Sequence, residues 1–287
     1  MNMKSLDRKG TALIREVNRT EVPYGTLAIW FLGQESVIIK GDGVTIYIDP
    51  YVSDYLDNKG VVRSYPAPIV PEDITGADFC LITHEHEDHM DEGTLPIFHK
   101  HNSKAPIMAP ACCREPLIRM GVNASQILIA DNYETTEFFS KLKISVIPAA
   151  HEQLEQDADG KYKCVGYVLE LNGVTLYHAG DTIIYPDLVE HLSKIKPDVA
   201  MLPINGGDYF RRERGIVGNM NYREAAELAV RIGAETVIPL HYDVFSGNAE
   251  KPGYFMDYLY EHFPEQKCHV MARGERYVYV SSRSFLQ

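Results

Sequence analysis

Short blocks of apolar residues, separated by glycine, proline and acidic turns, run along the chain and set its secondary structure. TLAIWFLG (26–33), ESVIIKGDG (35–43) and VTIYIDP (44–50) predict three successive strands, with Gly41-Asp42-Gly43 supplying a hairpin turn between the second and third. YPAPIVPED (65–73) cannot lie inside a sheet, because proline has no N–H to give the ladder, so residues 51–76 read as a long loop over one face. ADFCLIT (77–83) is a buried strand that delivers His84 at its end. Further strands are predicted at APIMAP (105–110), ILIA (127–130) and KISVIPAA (143–150), with a helix over 110–121 that opens on proline and closes at Gly121. CVGYVLEL and VTLYHAGD flank Asn172-Gly173, the strongest hairpin signal in the chain. PDVAMLPI (197–204) reads as a strand. NYREAAELAVRIG (221–233) then places Ala225, Leu228, Ala229 and Ile232 on one helical stripe that Gly233 ends, and ETVIPLHY (235–242) returns as a strand. Strands alternate with helices, with no internal repeat or linker to divide them. The pattern predicts one α/β (α+β) domain over residues 1–287, with 1–24 as an N-terminal extension.

Composition narrows the partners. With 287 residues, 45% of them hydrophobic, the chain can bury a substantial core. Its net charge is −12 and no lysine or arginine run offsets this locally, so nucleic acid is a poor partner. Five cysteines without a C-x-x-C pair suggest neither a disulfide framework nor a zinc ribbon, and a reducing cytoplasm is the expected setting. No segment runs 18 apolar residues and the first residues lack the apolar core of an export signal, so no membrane span is expected.

The chemistry gathers where the strands stop. Asp49 follows VTIYI, His84 to His89 follow FCLIT, His151 follows VIPAA, Asp181 follows LYHAG and His241 follows VIPL. Loops at strand carboxyl ends are where α/β enzymes collect ligands, so these five ends can converge on one site. Within ITHEHEDHMDEG (82–93), His84, His86, Asp88 and His89 fall inside six positions. With 11 histidines and 40 acidic residues in the chain, such a cluster arises by chance in roughly two chains per thousand. A plain surface loop turns on glycine, asparagine and proline and has no need of imidazoles. His84 and His86, two apart in extended backbone, can point the same way, whereas adjacent Asp88 and His89 must diverge. His84, His86 and His151 then make one three-ligand site and Asp88, His89 and His241 a second, with Asp181 as the bridge. Two divalent ions about 3.5–4 Å apart share a water whose pKa falls towards 7, so no serine or cysteine nucleophile is required. Zinc suits the imidazoles and manganese is compatible with the carboxylates, of which Asp88 and Asp181 are the catalytic candidates.

The motif T-H-E-H-E-D-H (83–89), followed by a distant histidine, aspartate and histidine, resembles the signature of the metallo-β-lactamase fold, a four-layer αβ/βα sandwich. Four further segments, GTLAIWFLG (25–33), YHAGD (177–181), RGIVGNMN (214–221) and VIPLHYD (237–243), resemble its L-ascorbate-6-phosphate lactonase branch, over a stretch from about Gly25 to about Tyr258. The resemblance implies a metal-dependent hydrolase that opens a small anionic lactone, that of a phosphorylated sugar, and a homo-oligomer. His151 fits the wider superfamily better than that branch, which implies a paralogue with another substrate. Asp181 stands where many true β-lactamases place cysteine, so antibiotic hydrolysis is not expected. His86 counts against flavodiiron proteins, which carry glutamate there.

Other residues extend the picture. Asp49 can orient a ligand histidine from behind, or simply form a turn before Pro50. His178, three residues before Asp181, reads as a packed or supporting residue and not as a ligand. His99, His101, His191, His262 and His269 read as surface. Arg211, Arg212 and Arg214 are conspicuous in an acidic chain, and Arg214 is the strongest candidate to hold a substrate anion because RGI resembles the lactonase branch. Three classes of function follow: a lactone or ester hydrolase, a metal-dependent phosphodiesterase of the kind that includes N-acyl phosphatidylethanolamine phospholipase, and a catalytically silent metal-binding protein.

Overall fold

A computed structural model describes residues 8–131 and 133–285. In chain order the first half contains α1 (Gly10–Arg19), β1 (Thr26–Gly33), β2 (Ser36–Gly41), β3 (Val44–Ile48), β4 (Phe79–Leu81), α2 (Leu95–His101), β5 (Ile107–Ala109), α3 (Arg114–Arg119), β6 (Ile127–Ile129), β7 (Thr135–Phe138) and β8 (Leu142–Pro148). The second half contains β9 (Val165–Leu171), β10 (Val174–His178), α4 (Pro186–Ile195), β11 (Val199–Pro203), α5 (Tyr209–Glu213), α6 (Tyr222–Arg231), β12 (Thr236–Leu240), α7 (Pro252–His262), β13 (Lys267–Cys268) and β14 (Arg276–Val280).

Two seven-stranded sheets result, ordered β14-β1-β2-β3-β4-β5-β6 and β13-β12-β11-β10-β9-β8-β7. Their facing surfaces share one apolar cluster, in which Ile29, Ile39 and Ile46 of the first sheet meet Ile144, Leu169 and Leu176 of the second. Alternate residues of the same strands point outward. Trp30, Ile38 and Tyr47 pack under Leu13 and Val17 of α1 and Phe98 of α2. On the other side Tyr177, Ala200 and Val237 pack under Leu192 of α4, Leu228 of α6 and Phe255 of α7. This is the four-layer αβ/βα sandwich that the resemblance implies. Strands buried on both faces read as unbroken apolar runs, which is why periodicity alone located them and could not orient them. Among the described residues no helix is long and apolar enough to cross a membrane.

Both hairpins form where Gly41-Asp42-Gly43 and Asn172-Gly173 predicted them, with positive φ at Asp42, Gly43, Asn172 and Gly173, as a two-residue turn matched to strand twist requires. The helix expected over 110–121 is shorter, a 3-10 turn at Ala111–Cys113 running into α3. Residues 51–76 are irregular apart from two 3-10 turns. Within the stretch set aside as an N-terminal extension, residues 10–19 form α1, whose Leu13, Ile14 and Val17 are buried and whose Glu16 accepts a hydrogen bond from Trp30 Nε1 at 3.1 Å.

Candidate metal centre

β3 runs parallel to β4, and β10 runs parallel to β11 and β12, so the strands that carry the polar residues end at one edge of the sandwich. The ends of β3 and β4 supply Asp49 and the 84–89 loop, and those of β8, β10 and β12 supply His151, Asp181 and His241. All seven expected ligands meet there. Their donor atoms fall into three groups, His84/His86/His151, His84/His89/Asp181 and Asp88/His89/His241, each with its atoms within 4.8 Å of one another. The five histidines read as surface belong to none of these groups, although His99, His191 and His269 are half-buried.

Asp181 sits between the groups. Its Oδ2 is 3.2 Å from His241 Nε2 and 3.6 Å from His151 Nε2, and its Oδ1 is 3.4 Å from His89 Nε2. That Oδ1 and the His89 Nε2 are both buried and make no hydrogen bond. A buried carboxylate oxygen and imidazole nitrogen in this state are costly by themselves, and together they suit a shared cation.

Three of the ligand histidines are held from behind. His89 Nδ1 lies 2.7 Å from Asp49 Oδ2, and Asp49 also accepts from the backbone N–H and the hydroxyl of Thr83 at 2.8 and 2.6 Å. His151 Nδ1 lies 3.0 Å from Asn219 Oδ1, and His84 Nδ1 lies 3.0 Å from Thr83 Oγ1. These contacts turn the remaining ring nitrogens toward the centre. His178 also acts through its neighbours. Its Nε2 lies 2.9 Å from the Glu35 carbonyl and its Nδ1 accepts from the Gly180 N–H at 3.3 Å, pinning the backbone just before Asp181. Gly180 has φ +58, and a Cβ there would come within 2.9 Å of Thr83 and of the Val165 carbonyl, so the turn into Asp181 requires glycine.

The electrostatics divide the histidines. Burial drives the His84 imidazole well below its ordinary range, with His89 adding to the effect, and burial likewise lowers His151. At His89 and His241 burial acts in the same direction but the carboxylates of Asp181 and Asp88 outweigh it, and both are raised. In return, Asp181 is held well below the carboxylate range by His241 and His89 despite its burial, and Asp88 is lowered by His89 and His241 against the same penalty. Burial thus shifts His84 and His151 toward the neutral form that binds metal, whereas the carboxylates shift His89 and His241 toward the protonated form, with which an ion there would have to compete.

Two participants escaped the sequence reading. Gln34, between β1 and β2, donates from Nε2 to Asp88 Oδ2 at 2.8 Å, and its carbonyl accepts from the His241 backbone N–H at 3.0 Å. Glu35 is fully buried, neither of its carboxyl oxygens makes a hydrogen bond, and its Oε2 stands 3.4 Å from His178 Nε2. The only signal was a polar pair interrupting two apolar blocks. The arginines separate. Arg211 donates to the carbonyls of Asn205, Gly206 and Ala249, and Arg212 pairs with Glu152 at 2.9 Å. Arg214 is exposed, donates from Nε to the Phe210 carbonyl, and has its Nη1 4.0 Å from where a Cβ on Gly247 would stand. Gly247 lines a cavity of about 490 Å³ that opens over His86, Asp88, His151, Asp181 and His241, so Arg214 lies at its rim and not within it.

The beta-lactamase superfamily domain matches residues 44–242. The chain is 32% identical over 252 residues to a UPF0173 metal-dependent hydrolase of Pyrococcus furiosus, covering 86% of this chain and 97% of that protein. It is 24% identical over 277 residues to a probable L-ascorbate-6-phosphate lactonase of Escherichia fergusonii, covering 85% of this chain and 77% of that one. Among solved structures it is similar to Igni18, a metallo hydrolase of Ignicoccus hospitalis, with a TM-score of 0.65 and 25% identity over 88% of this chain and 98% of that one.

Proposed function

We propose that this chain, which belongs to the beta-lactamase superfamily and is a metal-dependent hydrolase, uses two divalent ions to hydrolyse a small lactone or ester at its carbonyl. The observation that carries the reading is Asp181, whose Oδ2 faces His151 and His241 and whose Oδ1 faces His89, at 3.2–3.6 Å. His84, His86 and His151 would hold one ion, Asp88, His89 and His241 the other, with Asp181 between them. The imidazole-rich donor set suits zinc, and the carboxylates admit manganese. Such ions, when bound, supply a Lewis acid and a nucleophile from water at neutral pH. The chain's own residues do the rest. Asp49 and Asn219 fix the ring orientations of His89 and His151, Gln34 sets Asp88, and His178 sets the backbone before Asp181. Asp88 lines the cavity and is the carboxylate placed to take a proton from the attacking water.

The walls favour a carbonyl over a phosphodiester. Glu85 and Glu87 line the cavity, and no lysine or arginine does so among the described residues. A phosphodiester carries its charge at the reacting atom and meets those carboxylates, whereas a carbonyl arrives neutral. Arg214 at the rim can meet one peripheral anionic group of a substrate. Measured kcat/KM on the metal-loaded protein should favour lactones and esters over bis-aryl phosphates by about tenfold or more, and the reverse order would reject the reading.

A further inference from the structure

The cavity over the metal centre is built unevenly. Leu56 and Val61 come from the loop after β3, Ile216 and Val217 from the segment after α5, and Phe245 from the loop after β12, and together they supply the hydrocarbon part of its lining. That side is anchored. Leu56 packs in a buried cluster with Tyr51, Tyr65 and Val244, against which Phe245 is packed, and the rings of Tyr51 and Phe245 lie 5.9 Å apart. Away from the candidate ligands, the polar side chains in the lining are Glu85, Glu87 and Asn248. Glu87 is paired with Lys59, and Asn248 Oδ1 already accepts from Asn205 Nδ2 at 3.0 Å. A sugar with a hydroxyl on most of its carbons would press those hydroxyls against hydrocarbon with few partners for them.

We propose that the substrate carries an aliphatic or aromatic group of several carbons beside the carbonyl, seated on Leu56, Val61, Ile216, Val217 and Phe245, and that this wall determines specificity. The proposal rests on the carbonyl-hydrolysis reading and deepens it: the occupant is an alkyl- or aryl-substituted lactone or ester and not a phosphorylated sugar lactone. Water adds to the acyl carbon, the acyl C–O bond breaks, its oxygen leaves with the electron pair and takes a proton, and a hydroxy acid, or an acid and an alcohol, results. No further reactant is needed. Continuity fixes the occupant, because the same cavity exposes the apolar wall and the ligands His86, His151, Asp181 and His241, so a group on the wall is attached to whatever reacts at the centre.

The test uses the full chain loaded with zinc or manganese and the series γ-butyrolactone, γ-hexalactone, γ-octalactone and γ-decalactone, with L-ascorbate 6-phosphate as comparator. Burial of each added methylene should raise kcat/KM about three- to fourfold over the first few carbons, and γ-octalactone should exceed the phosphorylated comparator by about tenfold or more. Val61→Ser and Ile216→Thr, at positions that are not fully buried, should each lower the ratio of kcat/KM for γ-octalactone over γ-butyrolactone by about threefold or more. Turnover of the lactones with a flat series, or a preference for L-ascorbate 6-phosphate, overturns the apolar wall as specificity determinant and leaves carbonyl hydrolysis standing. Turnover of none of these compounds, with phosphodiesters cleaved instead, sinks the carbonyl reading and this inference with it.

Discussion

Gln34 Nε2 donates to Asp88 Oδ2 across 2.8 Å while the Gln34 carbonyl accepts the His241 backbone N–H across 3.0 Å, so one buried side chain and its own peptide fix two residues of the Asp88/His89/His241 group. Asp49 fixes the third through His89. In the other group His86 is exposed, and the nitrogen partner it finds is that of His84. The group held from behind at every member should bind its ion more tightly. Gln34→Met keeps the side-chain volume and removes the donor, and it should weaken the tighter of two metal-binding events by about 10- to 100-fold in a competition titration against a chelator. His86→Ala should instead abolish the weaker event and spare the tighter one. Loss of the tighter event in His86→Ala would show that the ranking is inverted.

Asp181→Asn keeps the shape of the side chain and deletes the charge that faces His89, His151 and His241. Hydrolysis should fall by about 10³-fold or more, with the circular dichroism spectrum unchanged, because on the proposed two-ion reading the substitution removes the charge between the ions and leaves the packing intact. A variant that retains the parent rate would show that Asp181 does not lie between two ions.

Glu35 gives a pH dependence whose sign follows from its surroundings. Burial, reinforced by the nearby Asp181 carboxylate, raises its carboxyl well above the ordinary value of 4.5. The folded chain therefore keeps a proton there that the unfolded chain releases, and the stabilising contribution, complete below about pH 4.5, is lost as pH rises toward the folded value. Glu35→Gln removes that dependence. In the presence of a chelator it should raise Tm relative to the parent at pH 8 more than at pH 5, measured by scanning calorimetry, and an equal change at both pH values would argue that Glu35 is ionised in its site.

Removal of the metal should be visible in stability before it is visible in anything else. An ion that binds the folded chain alone contributes about 2.7 kcal/mol when its free concentration is 100 times its Kd. Adding excess chelator to the loaded protein should lower Tm by several degrees, and restoring zinc or manganese should reverse the shift. A Tm indifferent to chelator and to added ions would reject the metal centre.

Much of this site was legible because its ligands follow apolar strands directly. His84, His151, Asp181 and His241 each come one to three residues after a run that could only be a strand, so an α/β pattern was enough to gather them. The hairpins at Asp42-Gly43 and Asn172-Gly173 were equally clear, since few dipeptides accept two positive φ angles. Gln34 and Glu35 were not legible. Nothing local distinguishes a glutamine in a tight turn from any polar turn residue, and its importance arises from Asp88 and Asp243, which lie 54 and 209 residues away and which it meets only in the folded chain. α1, α4 and α7 went unread for a related reason. They cover sheet faces, and the stripe each needs is too short to stand out from its charged neighbours until the sheet beneath it is known. The arginine loop was recognised as a group, but only contacts with carbonyls and with Glu152 reveal that Arg211 and Arg212 are occupied and that Arg214 is the one left at the cavity rim.

β1 lies between β2 and β14, with Thr26 opposite Val280 and Trp30 opposite Arg276. The strand that leads into Gln34 is thus closed on one side by its immediate neighbour and on the other by residues made almost a whole chain later. During synthesis the 84–89 loop leaves the ribosome long before His241, and the first sheet cannot be zipped along both edges of β1 until residue 280 has emerged. Pairing over such sequence distances is slow. A growing chain in this interval would display the closely spaced imidazoles of the 84–89 loop before the scaffold that orients them is complete.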